Sequence, residues 1–162
     1  MSVPNKFEAG ALFPEVGWPV VGGGGTMNIA AMQGWRILMV YRGKHCPLCK
    51  RYFKQLNEML ADFESAGVAI LAVSADPQDK AQADVEAEGW RFPVAYDLPL
   101  DDMRKLGLYI SSPRSDQETD RPFAEPAMFV INRTTGSSRC RSASARIPGP
   151  TWPSCWRACP TR

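Results

Sequence analysis

Cys46 and Cys49 are the residues in this chain best placed to do chemistry. They stand in "YRGKHCPLCK" (residues 41–50), three apart, with Pro47 and Leu48 between them and Arg42, Lys44 and Lys50 close by. A thiolate is both a nucleophile and a metal ligand, so the pair supports three readings. It could cycle between dithiol and disulfide, supply half of a zinc site, or pack as two small hydrophobic side chains. A structural zinc takes four ligands, and the other candidates are His45, Cys140, Cys155 and Cys159. His45 adjoins Cys46, an awkward spacing for sharing one ion.

The elements that position the pair decide how reactive it is. "WRILMVY" (35–41) is an apolar run with β-branched and aromatic residues, the mark of a strand buried on both faces. From Cys49 onward the spacing turns helical. Tyr52, Phe53, Leu56, Met59, Leu60 and Phe63 recur at three and four, with Lys50, Lys54, Asn57, Glu58 and Asp62 between them. The cysteines therefore open a helix directly after a buried strand. Unpaired N–H groups and the helix dipole favour negative charge there. Such placement lowers a thiol pKa from ~8.5 into the range of ~3.5–7.5. Arg42, Lys44 and His45 add positive potential. Two intervening residues let the sulfurs meet across one helical turn, and Pro47 suits the first helical position. Cys46, the more N-terminal, reads as the attacking thiol. Cys49, one turn in and more buried, reads as the resolving one.

The remaining chain supplies the frame. "VVGGGG" (20–25) reads as a turn between two short strands or an extended arm. "AGVAILAVSAD" (66–76) is a second buried strand opened by Gly67, and "PQDKAQADVEAEG" (77–89) is a helix with Pro near its start and Gly at its end. Asp76 reads as a cap for that helix, with lining the site as the second reading. A short strand (92–97), a short helix (100–108), a polar loop (111–122) and a strand "AMFVIN" (127–132) follow. The order β-α-β-α-β-α-β implies an α/β sandwich. Trp35 and Trp90 read as packing residues, and the glycine run lacks the lysine–serine ending of a phosphate loop.

Strand, CPxC at a helix start, long helix, a second strand ending "VSAD" and finally "EPAMFVIN" together resemble the thioredoxin fold. "VYRGKHCPLCKRYFKQL" with "AVSADP" narrows the resemblance to the peroxiredoxin-like branch of the alkyl hydroperoxide reductase/thiol-specific antioxidant (AhpC/TSA) family, over residues 11–132. The resemblance implies a thioredoxin-like sandwich with a central mixed sheet. It implies a thiol-dependent antioxidant oxidoreductase that reduces peroxides or disulfides through Cys46 and Cys49. It also implies re-reduction by a thioredoxin- or glutaredoxin-type dithiol, without a metal or organic cofactor. Pro126 matches the family's cis-proline, which faces the cysteine pair and docks substrate; an X–Pro bond has only a small trans preference. One position departs from the pattern. Where typical members carry Thr or Ser three residues before the attacking cysteine, this chain has Gly43.

The 162 residues suffice for one domain with its own core. No stretch approaches ~18 consecutive apolar residues, and the first ten residues hold no apolar run, so no membrane segment or signal peptide is expected and a cytoplasmic protein is. In that compartment a close cysteine pair is more often redox-active or metal-binding than a structural staple. Residues 133–162 hold six arginines and no acid, which leaves 13 basic and 17 acidic residues in 1–132, a net of −4. The tail charge is scattered and no basic face appears elsewhere, so nucleic-acid binding is not indicated.

Domain organisation accordingly divides into a thioredoxin-fold unit, 1–132, and an aberrant tail, 133–162. The tail shows neither strand alternation nor a helical face. It reads as a disordered tail or as a strand and helix carried in a shifted frame. GC-rich codons for "PTWPSCWRACPT" read one frame over encode an amphipathic helix. On the shifted-frame reading the sheet loses an edge strand, and "ILMVY" and "AMFVI" lose cover.

Overall fold

The computed structural model describes residues 7, 8, 10–132 and the backbone of 140–143. Its centre is a five-stranded mixed sheet. Strand β3 (Trp35–Val40) lies in the middle, between β4 (Val68–Val73) and β8 (Ala127–Ile131). Beyond β4 comes β5 (Val94–Ala95), and beyond β8 comes β9 (Cys140–Ala143). Strands β3, β4 and β5 run parallel, whereas β8 is antiparallel to β3 and β9 to β8. Two short hairpins flank this sheet: β1 (Gly17–Pro19) with β2 (Thr26–Asn28), and β6 (Ile110–Ser111) with β7 (Phe123–Ala124).

Side chains alternate across the sheet and feed two cores. Leu38, Val40, Leu71, Val73, Phe129 and Ile131 face one side and pack with Phe13, Trp18, Ile29, Met103, Leu106 and Phe123. Ile37, Met39, Tyr41, Ile70 and Ala72 face the other and pack with Phe53, Leu56, Phe63, Trp90 and both cysteines. The central strand is thus buried on both faces, as its composition requires. Arg36, inside this apolar run, is 2% exposed. Its guanidinium donates to the carbonyls of Ile29, Ala30, Met32 and Asn132, which closes the β2–β3 connection against the sheet.

Helix α1 (Pro47–Glu58) follows β3, with a break at Met59 before α2 (Leu60–Ser65). The apolar spacing runs on through the break, so one helical pattern becomes two helices. Helix α3 (Gln78–Glu88) connects β4 to β5 and ends at Gly89, whose φ of 64° makes a left-handed cap. Helix α4 (Leu100–Lys105) follows β5.

Three expectations need correction. The polar loop 111–122 is bracketed by the β6–β7 pairing, too short for sequence alternation to register. No cis peptide bond occurs among the described residues, so Glu125–Pro126 is trans. Trans is the lower-energy isomer of an X–Pro bond, and Pro126 here joins two extended strands, β7 and β8. Finally, residues 140–143 form a strand despite lacking alternation. They pair Cys140 to Ile131 and Ala143 to Met128 through backbone groups, which need no apolar side chains. The backbone of 140–143 thus supplies an edge strand to the sheet, and five of the six residues of β3 are buried. The rest of 133–162, including the expected missing helix, lies outside the described residues.

Candidate active site: a dithiol at a strand-to-helix turn

The site begins where β3 ends. Tyr41 extends the ladder by one bond, its N–H donating to the Val73 carbonyl at 3.0 Å. The chain then turns at Gly43, whose φ of 114° favours glycine. A hydrogen bond from Cys46 N–H to the Gly43 carbonyl, 3.1 Å, closes the turn.

Cys46 is the N-cap of α1, with extended backbone angles, and Pro47 stands just inside. Cys49 N–H donates to Cys46 Sγ at 3.3 Å, so the helix N-terminus points at the attacking sulfur. A disulfide joins Cys46 to Cys49 across one turn, with Cα atoms 5.4 Å apart. The two cysteines are buried nearly alike, at 5% and 4% exposure, where the sequence suggested a deeper Cys49. Leu48, between them, is 60% exposed. Beneath the pair lies an edge-to-face aromatic cluster of Tyr41, Phe53, Trp90 and Phe92. Burial pushes the Tyr41 phenol well above its usual range; Ser74 opposes this, and Asp76 and Asp84 add to it.

The polar surroundings differ from expectation. Arg42 stacks over the Phe123 ring at 4.6 Å. Its Nη2 pairs with Glu118 Oε1 at 3.0 Å, and its Nε lies 3.8 Å from Glu125 Oε2. Its charge is therefore engaged by two glutamates, of which Glu118 ties the 111–122 loop to the turn and Glu125 ties the segment between β7 and β8. Lys44 keeps its side chain exposed. Its backbone N–H instead donates to Asp76 Oδ2 at 2.6 Å. His45 packs edge-on against Phe123 at 4.7 Å, and both its ring nitrogens are buried without a hydrogen-bond partner. Burial, with Arg42 second, pushes its pKa below the ordinary histidine range. Pro126 is exposed, one residue before Ala127, which pairs with Val40. It therefore lies at the same sheet end as the cysteines.

Asp76 is the residue the sequence misassigned. It caps nothing: the N-cap of α3 is Pro77, with no side-chain cap bond. It is 2% exposed, and its carboxylate reaches across to the first turn. A Cβ on Gly43 would stand 2.5 to 2.7 Å from that carboxylate, an impossible approach. The departure at Gly43 thus has a steric cause. Burial raises the Asp76 pKa, and the Lys44 N–H draws it back. One further contact was missed. Lys50, directly after Cys49, pairs with the buried Asp84 of α3 at 2.9 Å. Among the described residues no group of three or more His, Cys, Asp or Glu converges to hold a metal ion. The side chains of Cys140, Cys155 and Cys159 lie outside the described residues.

A central mixed sheet, a disulfide across the first turn of the helix leaving its middle strand, and a covering helix on that strand's far side define a thioredoxin-fold dithiol protein. Residues 9–135 match the model of the AhpC/TSA family, and the chain belongs to that family. Among curated proteins it is 26% identical over 86 residues to the thiol-disulfide oxidoreductase ResA of Halalkalibacterium halodurans, covering 52% of this chain and 49% of that one. It is 27% identical over 103 residues to a protein named Probable 1-Cys peroxiredoxin from Syntrichia ruralis, covering 60% of this chain and 47% of the relative. The chain therefore spans about half the length of these curated relatives. The peroxiredoxin-like protein of Aquifex aeolicus superposes with a TM-score of 0.72 at 19% identity, covering 96% of this chain and 87% of that one. At that identity the likeness concerns the fold.

Proposed function

We propose that this chain is a dithiol–disulfide oxidoreductase of peroxiredoxin-like type that reduces disulfides or peroxides through Cys46 and Cys49. The observation that carries this reading is the N-terminus of α1. The Cys49 N–H is aimed at Cys46 Sγ, and Cys49 itself is bonded to that sulfur.

With a disulfide substrate, the Cys46 thiolate attacks one sulfur, forms a mixed disulfide and expels the first substrate thiolate. Cys49 then attacks Cys46 Sγ and expels the second, which leaves Cys46–Cys49 oxidised and the substrate reduced. With a hydroperoxide, Cys46 takes one oxygen as sulfenic acid and releases the alcohol, and Cys49 condenses with loss of water. Either cycle ends in the observed disulfide. A thioredoxin- or glutaredoxin-type dithiol reduces it by the reverse exchange. Arg42, held by Glu118 and Glu125, and Gly43, which carries no hydroxyl, favour disulfides over peroxides as substrate. Such a cycle suits a reducing compartment, and we assign the protein to the cytoplasm.

Serine variants test the assignment. Cys46→Ser should neither reduce a small disulfide nor react with stoichiometric peroxide. Cys49→Ser should stop at a stable mixed disulfide on Cys46, visible as added mass. A Cys46→Ser protein that oxidises as fast as the parent would remove Cys46 from the role.

A further inference from the structure

Building on the dithiol reading above, we propose that Asp76 positions Cys46: its carboxylate is the template on which the Gly43–Cys46 turn folds, and its charge offsets the pull of the α1 N-terminus on the Cys46 sulfur. The steric evidence comes first. Asp76 is 2% exposed and fills the volume in which any side chain at 43 would begin. The turn can approach so closely only because residue 43 is glycine with φ of 114°. The hydrogen bond comes second. Lys44 N–H donates to Asp76 Oδ2 at 2.6 Å, a short bond of the charge-assisted kind. Two residues on, Cys46 N–H closes the turn onto the Gly43 carbonyl. At most about 7 Å of chain separates Lys44 from Cys46, so the N–H that the carboxylate holds and the attacking thiol belong to one short turn.

The carboxylate is itself held. Asp76 N–H donates to Ser74 Oγ, and its carbonyl accepts from Asp97 N–H at 2.8 Å. It also gives up the capping of its own helix. The titratable groups that face it are Tyr41, His45, Lys80, Asp84 and Arg121. A buried anion beside a thiol disfavours the thiolate, which opposes the effect of the helix N-terminus. Asp76 therefore holds Cys46 in place while moderating its acidity. Removing the charge but keeping the oxygen separates these two effects.

Asp76→Asn retains an acceptor for Lys44 N–H, whereas Asp76→Ala does not. The full chain is reduced, and Cys46 alkylation by iodoacetamide is followed against pH by peptide mass. In D76N the midpoint should fall by roughly one pH unit. The Cys46–Cys49 disulfide, equilibrated with glutathione, should become easier to reduce by about tenfold, because a stabilised thiolate favours the reduced form. Amide exchange at Lys44 and Cys46 should stay slow in D76N and accelerate at least about tenfold in D76A. If D76A does not fold, the D76N titration decides alone. An unchanged alkylation midpoint in D76N, or unchanged amide exchange in a folded D76A, overturns the role. Neither readout uses a substrate. A parent protein without turnover, paired with a shifted D76N midpoint, would sink the functional reading and leave Asp76 standing.

Discussion

Two strand-to-helix turns lie side by side at the C-terminal ends of β3 and β4, and they use their polar residues in opposite ways. At the first, Cys46 caps its own helix, its sulfur accepting from Cys49 N–H. At the second, Asp76 leaves α3 without a side-chain cap and bonds the neighbouring turn instead. A carboxylate is among the strongly preferred capping groups, and a thiol is not. The exchange puts the weaker acceptor where its ionisation matters for chemistry. The stronger acceptor goes where a backbone turn must be pinned. The helices that leave the two turns are tied as well, by Lys50 of α1 and Asp84 of α3. The site belongs to the junction between the turns and to neither turn alone.

The largest effect should come from filling the space between them. Gly43→Ala places a methyl 2.5 to 2.7 Å from the Asp76 carboxylate at a φ of 114°. Steric overlap and backbone strain together should cost about 2–5 kcal/mol. Gly89→Ala provides the contrast. Its φ is 64°, and a Cβ there meets nothing within 4 Å, so it should cost only about 1 kcal/mol. Urea midpoints of the two variants rank the sites. A Gly43→Ala protein no less stable than Gly89→Ala would dissolve the contrast between an interlocked glycine and a merely left-handed one.

A smaller effect should follow from cutting the tie between the helices. Lys50→Met strands Asp84, which is 1% exposed and already has one carboxylate oxygen without a partner. Breaking a fully buried pair costs more, but the Lys50 side chain is 25% exposed, so about 2 kcal/mol is expected. Asp84→Asn should cost less, since the lysine it abandons can reach water. Equal losses would mean that the pair contributes through packing and not through charge.

Much of this arrangement was legible in the sequence, and the part that was not is instructive. The apolar run 35–41 and the three-and-four spacing from Cys49 announced β3 and α1, because burial on a sheet face or helix face leaves a period. The thiol pair was legible because its chemistry depends on residues adjacent in sequence. Asp76 was not. "VSADP" before a helix reads as a cap, and only the approach of Gly43, 33 residues earlier, reveals the other use. Arg42 was readable as a cation beside the cysteines, but its partners are far along the chain: Glu118 in the loop that the β6–β7 pairing folds back, and Glu125 just after β7. The trans bond before Pro126 and the strand at 140–143 were missed because backbone isomer and ladder bonding leave no side-chain pattern.

The smallest expected effect is also the sharpest test of the two turns, because it gives them opposite signs. His45 on the first turn and Asp76 near the second are both held toward their neutral forms by burial. For His45, Arg42 and Lys80 also oppose protonation, while Asp76 and Glu118 favour it. The unfolded chain takes up this proton near ~6.5, and the folded chain only at lower pH. Between those values the unfolded state binds more protons, so the His45 contribution is complete above ~6.5 and is lost as pH falls. For Asp76 the order reverses. The unfolded carboxyl ionises near ~3.9 and the folded one at higher pH, so this contribution is complete below ~3.9 and is lost as pH rises through the folded value. His45→Phe keeps a ring against Phe123 without a titrating group, and should flatten the fall in melting temperature between pH 7.5 and 5.5 (about the histidine window). Asp76→Asn should leave that fall in place and steepen the loss at more acidic pH, where the parent gains from a protonated Asp76. If His45→Phe tracks the parent across the upper window, the buried imidazole does not couple to folding. The acid-side difference in Asp76→Asn would then stand as the only linkage of the two.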